Sequence, residues 1–286
     1  MVVSLDQVRQ ELQQYGRILT PGFQAGWVIN LDGTPGKKLD LIEPGNDCIV
    51  SPGCLGCTTF FMVKNDLLTT PVCPVSKFTT LLQKPFQWGP GKVCFLSPRG
   101  DLLHGNISDE VIYQVLAMVE SLSQHRFVLL TKWAERLQKL FTDPLLHTRI
   151  RDVGTQLFGK LYQDRGDKWC DNLVIGVSVE NQDWLHRAEA LVDLPKTVTT
   201  AIFAAPMIGP LDIRKVSPFT KWVSCSGERG SKWLDKPRPC KEEWQKDLKE
   251  QCKEAEIPFY MDRKYHQTWV KRMGGPCRQL PKVLTE

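Results

Sequence analysis

The clearest strand in the sequence is the apolar stretch Leu173-Val174-Ile175-Gly176-Val177-Ser178-Val179. It is apolar on both faces of an extended chain, which is typical of a strand covered on both sides in a parallel sheet. Similar runs lie upstream, from Arg126 to Thr131, and downstream, from Val198 to Ala205. Stretches with helical spacing lie between such runs, and one begins after Ser108, a predicted helix cap. This alternation predicts an α/β protein.

Further strand–helix units can be traced from residue 92 almost to the end of the chain. The predicted strands are Lys92–Ser97, Arg126–Thr131, Leu173–Val179, Val198–Ala205, Trp222–Cys225 and Ile257–Met261, and the predicted helices are Ser108–Leu122, Trp133–Phe141, His147–Tyr162, Gln182–Leu194 and Lys241–Ala255. This number of units predicts a partial or complete (βα) TIM-like barrel. A doubly wound open sheet is the main alternative. No long linker divides the chain, so we expect a single domain over residues 1–286.

The composition is that of an ordinary globular protein, with 42% hydrophobic and 24% charged residues in a chain of 286. No apolar run approaches the roughly 20 residues of a membrane span, and the N-terminus lacks the layout of a signal peptide. We therefore expect a cytoplasmic protein without a membrane partner. In that compartment the ten cysteines are interpreted as metal ligands or core thiols before disulfides.

The net charge of +5 is concentrated in the C-terminal segment, residues 229–286. This segment holds 14 Lys and Arg against 9 Asp and Glu, whereas residues 1–228 are balanced. Basic side chains with tryptophans among them are typical of proteins that contact phosphates and stack on bases, so nucleic acid is a candidate partner. A solvated helix face followed by a basic tail is the alternative.

Three thiols lie within ten residues, at Cys48, Cys54 and Cys57. The Pro52-Gly53 pair between the first two supplies a turn that can fold them toward one point. Three thiolates are too few to close a structural zinc site from this loop alone, but they can hold an iron–sulfur cluster with one iron open. From the spacing, a cluster, a zinc site completed by a distant Cys or His, and unliganded buried thiols all stay open.

Polar residues follow the predicted strands where each strand ends. In a barrel, reactive side chains gather at the carboxyl ends of the strands, so these residues are candidates for a shared site. A helix cap is the ordinary explanation for any single one of them, but several strands share the feature. The residues are Asp101, Lys132, Ser178, Glu180, Asn181, Gly227 and Glu228.

Seven motifs occur in a characteristic order along about residues 25 to 265: Cys48–Cys57, Gly100–His104, His125–Lys132, Gly176–Gln182, Pro206–Asp212, Gly227–Gly230 and Gln251–Phe259. In this order they resemble a family that is encoded largely by phages and mobile elements. That family carries a three-cysteine motif related to the radical S-adenosylmethionine enzymes. The resemblance implies that the predicted barrel is of the radical S-adenosylmethionine type.

The resemblance also implies a [4Fe-4S] cluster on Cys48, Cys54 and Cys57, with S-adenosylmethionine (SAM) on the fourth iron. In the wider superfamily the reduced cluster cleaves SAM to a 5′-deoxyadenosyl radical, which takes a hydrogen atom from the substrate, and an electron donor is needed. By position, the expected catalytic residues are Asp101, Lys132, Glu180 and Glu228. The expected cofactor-binding residues are Ser178, Glu180, Asn181, Gly227 and Glu228.

Two functions from different classes follow. The first is a radical SAM enzyme that modifies a nucleobase or nucleic acid, since the basic segment and the phage association both favour such a substrate. The second is a noncatalytic protein that binds nucleic acid or another protein, in which a cluster or a zinc ion clips the loop together.

Overall fold

The computed structural model describes residues 30–285, apart from residues 33, 49, 52, 55, 56, 58, 60, 61, 64, 67, 68, 229–236 and 262–278. Much of the basic segment 229–286 therefore lies outside the described residues. The described strands are β1 (Lys37–Leu39), β2 (Ile42–Glu43), β3 (Cys73–Pro74), β4 (Val93–Leu96), β5 (Arg126–Thr131), β6 (Leu173–Ser178), β7 (Thr199–Ala204), β8 (Trp222–Cys225) and β9 (Phe259–Met261). The described helices are α1 (Phe78–Gln83), α2 (Asp109–Ser121), α3 (Ala134–Phe141), α4 (Leu146–Phe158), α5 (His186–Glu189) and α6 (Glu242–Glu254).

Seven of these strands form one parallel sheet in the order β1-β4-β5-β6-β7-β8-β9, and β2 and β3 form a small antiparallel pair. The register places Phe127 beside Leu173 and Thr131 beside Val177, so β5 and β6 end at the same edge. Side chains that follow these strands therefore meet at one carboxyl edge. This edge holds the candidate site.

The prediction of a partial or complete TIM-like barrel of the radical SAM type is wrong. Within the described residues, β1 and β9 form the two edges of an open half-barrel sheet. Its order runs in one direction, without the reversal of a doubly wound sheet, so that alternative is not found either. The sheet has more strands than a TIM barrel would need for its helices, because some connections contain no α-helix. For example, the connection between β7 and β8 contains only the 3-10 turn Ser217–Phe219. Closure of a sheet into a barrel depends on the tilt of the strands and on pairing between the first and last strands. Local periodicity in the sequence encodes neither of these.

Most predicted elements are present with small shifts at their ends. Ser108 caps α2 as predicted, and its hydroxyl accepts a hydrogen bond from the Val111 N–H. The predicted helix Gln182–Leu194 is wrong in form, because it is broken into the one-turn α5 and two 3-10 turns, Gln182–Trp184 and Ala190–Asp193. This break turns Arg187 back toward the strand that precedes it.

Both faces of the sheet are covered, which explains why its strands are apolar throughout. The larger cluster lies between the sheet and the helices, and α2 contributes one face of it. The smaller cluster fills the opposite face, where Phe203 meets Trp222 edge-on with ring centroids 5.3 Å apart. None of the helices in the described part of the chain combines the length and apolar character of a membrane span.

The buried His125 makes stability sensitive to pH. Its Nδ1 accepts the Lys92 N–H at 3.4 Å, and its Nε2 donates to the Pro85 carbonyl at 3.1 Å. Burial lowers the pKa of His125, and the nearby charges of Lys92 and Arg126 lower it further. His125 therefore binds a proton less readily in the folded protein than in the unfolded chain.

We expect stability to fall as the pH drops below the unfolded histidine pKa of about 6.5, by at most about 1.4 kcal/mol per pH unit from this residue. Urea unfolding between pH 7.5 and 5.5 measures the slope. A His125→Gln variant should show a flatter slope than the wild type. The exposed His186 offers a control, since His186→Gln should keep the wild-type slope. Equal slopes in wild type and His125→Gln would contradict the prediction.

Candidate functional site

The thiol loop, residues 48–57, has described residues at the carboxyl ends of β5 and β6. Ser51 and Cys54 contact Lys132, which follows β5, and Ser51 also contacts Glu180, which follows β6. The Lys132 ammonium donates to Ser51 Oγ at 2.7 Å and to Glu180 Oε1 at 2.7 Å, and it lies 3.3 Å from Cys54 Sγ. One cation therefore connects the loop, a thiol and a carboxylate.

Glu180 is the buried carboxylate of this site, with no exposed surface. Besides Lys132, it accepts a hydrogen bond from Ser51 Oγ at 2.5 Å and one from Arg187 Nη1 at 3.0 Å. Burial raises the pKa of Glu180, but the charges and hydrogen bonds of Lys132, Ser51 and Arg187 outweigh it and hold the pKa below its ordinary value. Glu180 is thus an anion balanced by two cations.

The loop thiols differ in burial and in the charges near them. Burial raises the pKa of Cys48 to about 12, and the neighbouring Cys57 and Cys54 add to this effect. Burial also raises the pKa of Cys54, but Lys132 and hydrogen bonds near Ser51 lower it more, so the net pKa is below its ordinary value. Cys54 is buried and Cys57 is exposed. Lys132 therefore favours the thiolate at Cys54.

Gly53 allows the loop to lie this close to Glu180. A Cβ atom at position 53 would stand 2.5 Å from Glu180 Oε1 and 2.7 Å from its Cγ. The Glu180 side chain is fixed by three hydrogen-bond donors, so it cannot move aside without breaking them. Glycine at position 53 thus permits a close approach to the carboxylate, and Pro52 of the predicted turn lies outside the described residues.

We expect Gly53→Ala to lower the free energy of unfolding by about 1–3 kcal/mol, the usual effect of overpacking. Urea unfolding at pH 7.5 checks this value. The matched control is Gly89→Ala, because a Cβ at the exposed Gly89 meets no atom within 4 Å. That control should be neutral or slightly stabilising. A Gly53→Ala protein as stable as Gly89→Ala would contradict the close approach.

Asp101 holds the neighbouring loop and positions Lys132. Its carboxylate accepts hydrogen bonds from Thr131 Oγ1 at 2.8 Å, from the Lys132 N–H at 2.8 Å and from the Leu103 N–H at 2.9 Å. Burial raises the pKa of Asp101 despite these donors. The carboxylate therefore ties the end of β5 to the segment after β4, and its contacts are those of a positioning residue.

Glu228 and Gly227 lie outside the hydrogen bonds of this centre. Glu228 is buried and pairs with Arg238, accepting from its backbone N–H at 2.7 Å and from its Nε at 3.0 Å. Burial raises the pKa of Glu228, but Arg238 lowers it by more. The net pKa is below its ordinary value, so the group stays ionised. Gly227 lies beside it and is buried. Glu228 thus belongs to a second ion pair at the same sheet edge.

Ser178 and Asn181 flank Glu180 along the chain. The Ser178 carbonyl accepts a hydrogen bond from Arg187 Nη1 at 3.0 Å. Asn181 Nδ2 donates to Asp183 at 3.1 Å, whereas the buried Asn181 Oδ1 has no hydrogen-bond partner. A buried acceptor without a donor is costly, so a donor group of a ligand or a water at this atom would be stabilising.

Sequence reasoning missed two residues of the centre, Ser51 and Arg187. Ser51 lies in the thiol loop, so its position was a signal that could have been used. Arg187 comes seven residues after Glu180 and looked like part of a helix, so nothing local singled it out. Its guanidinium lies 4.0 Å over the Trp184 ring, which holds it against Glu180.

A cavity of about 810 Å³ opens beside the site. Lys132, Arg187 and Trp184 line it together with Val50 of the thiol loop, and Trp133 adds a second indole. Its volume is in the range of small-molecule sites, and aromatic faces with cations suit a planar, anionic or electron-rich ligand. The two cations that balance Glu180 thus also face a space large enough for a ligand.

The fold and this site define an α/β protein in which a three-thiol loop, a buried carboxylate and two cations meet at the carboxyl edge of a parallel sheet. The model of a family described as "Protein of unknown function (DUF5131)" matches residues 43–278, and the chain belongs to this family. The matched range includes the whole thiol loop and every residue of the centre. No curated protein and no solved structure matches the chain.

Proposed function

We propose that the protein is a radical SAM-type enzyme whose thiol loop holds a [4Fe-4S] cluster. The observation that carries the proposal is the contact of the Cys54 thiol with Lys132, which also binds the buried Glu180, in a loop that holds two further thiols. Three thiolates from one loop suit a cluster that leaves one iron open. The resemblance of the motifs to radical SAM enzymes supports the same chemistry.

The three thiols are not placed to bind one shared ion. Thiolates bound to one zinc ion lie about 3.8 Å apart, given zinc–sulfur bonds of about 2.3 Å. Among the described residues, the one group of candidate ligands whose atoms all lie within 4.8 Å of one another does not include the thiols. A cluster separates its thiolates more widely, because each of them binds a different iron. The ligands would be Cys48, Cys54 and Cys57.

Each residue of the centre has a role in this proposal. When bound, the reduced cluster and SAM supply a 5′-deoxyadenosyl radical for hydrogen abstraction. Lys132 offsets the negative charge of the thiolates, and Asp101 holds Lys132 in place. Glu180 has no exposed surface and accepts three hydrogen bonds, so its role is to hold Ser51, Lys132 and Arg187 in place. Asn181 Oδ1 offers an acceptor for a donor group of SAM.

The cavity suggests where a substrate binds. Trp184 and Trp133 provide ring faces on which a nucleobase can stack, and Lys132 and Arg187 provide positive charge for a phosphate or carbonyl. We therefore propose a nucleobase or nucleic acid as the substrate. An external electron donor completes the requirements.

The second candidate is a noncatalytic protein in which a metal clips the thiol loop for binding nucleic acid or another protein. One observation favours it: Lys132, Ser51 and Glu180 already satisfy one another, as the polar groups of a structural loop would. This candidate requires a bound metal but no SAM cleavage.

Anaerobic purification and reconstitution with iron and sulfide separate the two candidates. The enzyme proposal requires a brown protein whose absorbance near roughly 400 nm bleaches on reduction. Reduction in the presence of SAM should then yield 5′-deoxyadenosine. A brown protein that forms none under strict anaerobiosis, or a colourless protein with one zinc per chain, would reject the enzyme and favour the clip.

A further inference from the structure

Three potential metal ligands converge at a second place, outside the thiol site. They are Glu120 near the end of α2, His147 in the first turn of α4, and Asp164 in the segment that follows α4. Their ligand atoms all lie within 4.8 Å of one another. Nothing in the proposed radical chemistry uses them.

The distances are within about 0.4 Å of those between ligands on one ion. His147 Nε2 lies 3.0 Å from Glu120 Oε1 and 3.4 Å from Asp164 Oδ1. Two ligands on a tetrahedral ion, with bonds of about 2.0–2.1 Å, stand about 3.3–3.4 Å apart. A small outward shift of the imidazole would thus place an ion between the nitrogen and the two oxygens.

The surroundings hold these ligands in place. Glu120 is fully buried, and its Oε2 accepts a hydrogen bond from Tyr162 Oη at 2.6 Å. Its Oε1 accepts the Arg165 N–H at 3.0 Å. The His147 ring is stacked on Trp169 with centroids 5.5 Å apart. Hydrogen bonds to a ligating carboxylate of this kind orient it and are typical of metal sites.

The charges also favour a cation. Two carboxylates face one imidazole nitrogen, so with a neutral imidazole the group carries two negative charges, one of them on the buried Glu120. Arg151 approaches only the other oxygen of Asp164, at 3.9 Å. His147 and Asp164 are partly exposed, with 28% and 38% of their side-chain surface accessible, which leaves an entry path for an ion and its water ligands.

We propose that Glu120, His147 and Asp164 bind a divalent first-row transition-metal cation of the Mn²⁺ or Zn²⁺ type. One nitrogen and two carboxylate oxygens are a ligand set that such ions accept, with water in the remaining positions. The ion fastens α2, α4 and the segment after α4 to one another. The role is structural and independent of the thiol loop.

Mn²⁺ is the sharper probe, since it prefers oxygen and nitrogen ligands and avoids thiolates. We expect chelator-treated, full-length protein at pH 7.5 to bind one Mn²⁺ per chain in equilibrium dialysis. Asp164→Asn should weaken this binding at least about 10-fold. His147→Gln should do the same, and agreement of the two variants guards against a folding defect in one of them. Circular dichroism confirms that each variant is folded.

Two controls define the site. Asp167→Asn removes an exposed carboxylate from the same segment and should leave Mn²⁺ binding unchanged. Cys54→Ala should also leave it unchanged. The proposal is overturned if the wild type takes up no Mn²⁺, or if Asp164→Asn binds as tightly as Asp167→Asn. Uptake that disappears in Cys54→Ala and persists in His147→Gln would assign the ion to the thiol loop and overturn it as well.

Discussion

Replacing Cys54 by Ala is expected to lower the iron content of the reconstituted protein from about four per chain to background and to abolish the absorbance near roughly 400 nm. Cys54 is the loop thiol beside Lys132, which holds its pKa below the ordinary value although burial acts in the opposite direction. Lys132 therefore favours the thiolate at Cys54, which is the form that binds iron. Without it, two thiols remain, which is too few to hold the cluster.

Iron and sulfide analysis after anaerobic reconstitution measures this effect, and 5′-deoxyadenosine formation should fall with the iron. The matched control is Cys73→Ala, which removes a partly buried thiol outside the loop. That variant should keep its iron and its colour. Full iron content in Cys54→Ala would remove this residue from the ligand set, and equal loss in both variants would point to a general folding defect.

Replacing Glu180 by Gln is expected to lower the free energy of unfolding by about 3–5 kcal/mol. Glu180 has no exposed surface and is the anion that Lys132 and Arg187 share, at 2.7 Å and 3.0 Å. The amide keeps the shape of the side chain but loses its charge. The buried Arg187 and the partly buried Lys132 then lose the carboxylate that they share, and this loss is the main cause of the destabilisation.

Denaturant unfolding at pH 7.5 checks the value. The control is Glu189→Gln, because Glu189 pairs with Lys215 at 2.6 Å in a similar ion pair that is largely exposed. An exposed pair contributes at most about 1 kcal/mol, so this variant should be nearly neutral. Adding Lys132→Met to Glu180→Gln should recover part of the stability, since it removes one unbalanced cation. A loss of less than about 1 kcal/mol in Glu180→Gln would contradict the shared-anion arrangement.

The strands and most helices could be predicted from local pattern. The run from Leu173 to Val179 is apolar because both faces of β6 are covered, and Ser108 caps α2 through a contact only three residues away. The candidate residues after the strands also followed from sequence, since parallel strands end at one edge. Glu180 and Lys132 therefore meet as an α/β sheet requires.

The sequence by itself was sufficient for local features. These are the segments that form strands, the segments that form helices, the cap of α2 and the presence of three cysteines in one short loop. Barrel closure was predicted wrongly, because it depends on strand tilt and on pairing between strands far apart in sequence. The same distance in sequence hid the pairing of Arg187 with Glu180, the approach of Gly53 to that carboxylate, and the convergence of Glu120, His147 and Asp164. Such contacts arise only when packed elements bring distant residues together, since no short-range periodicity records them.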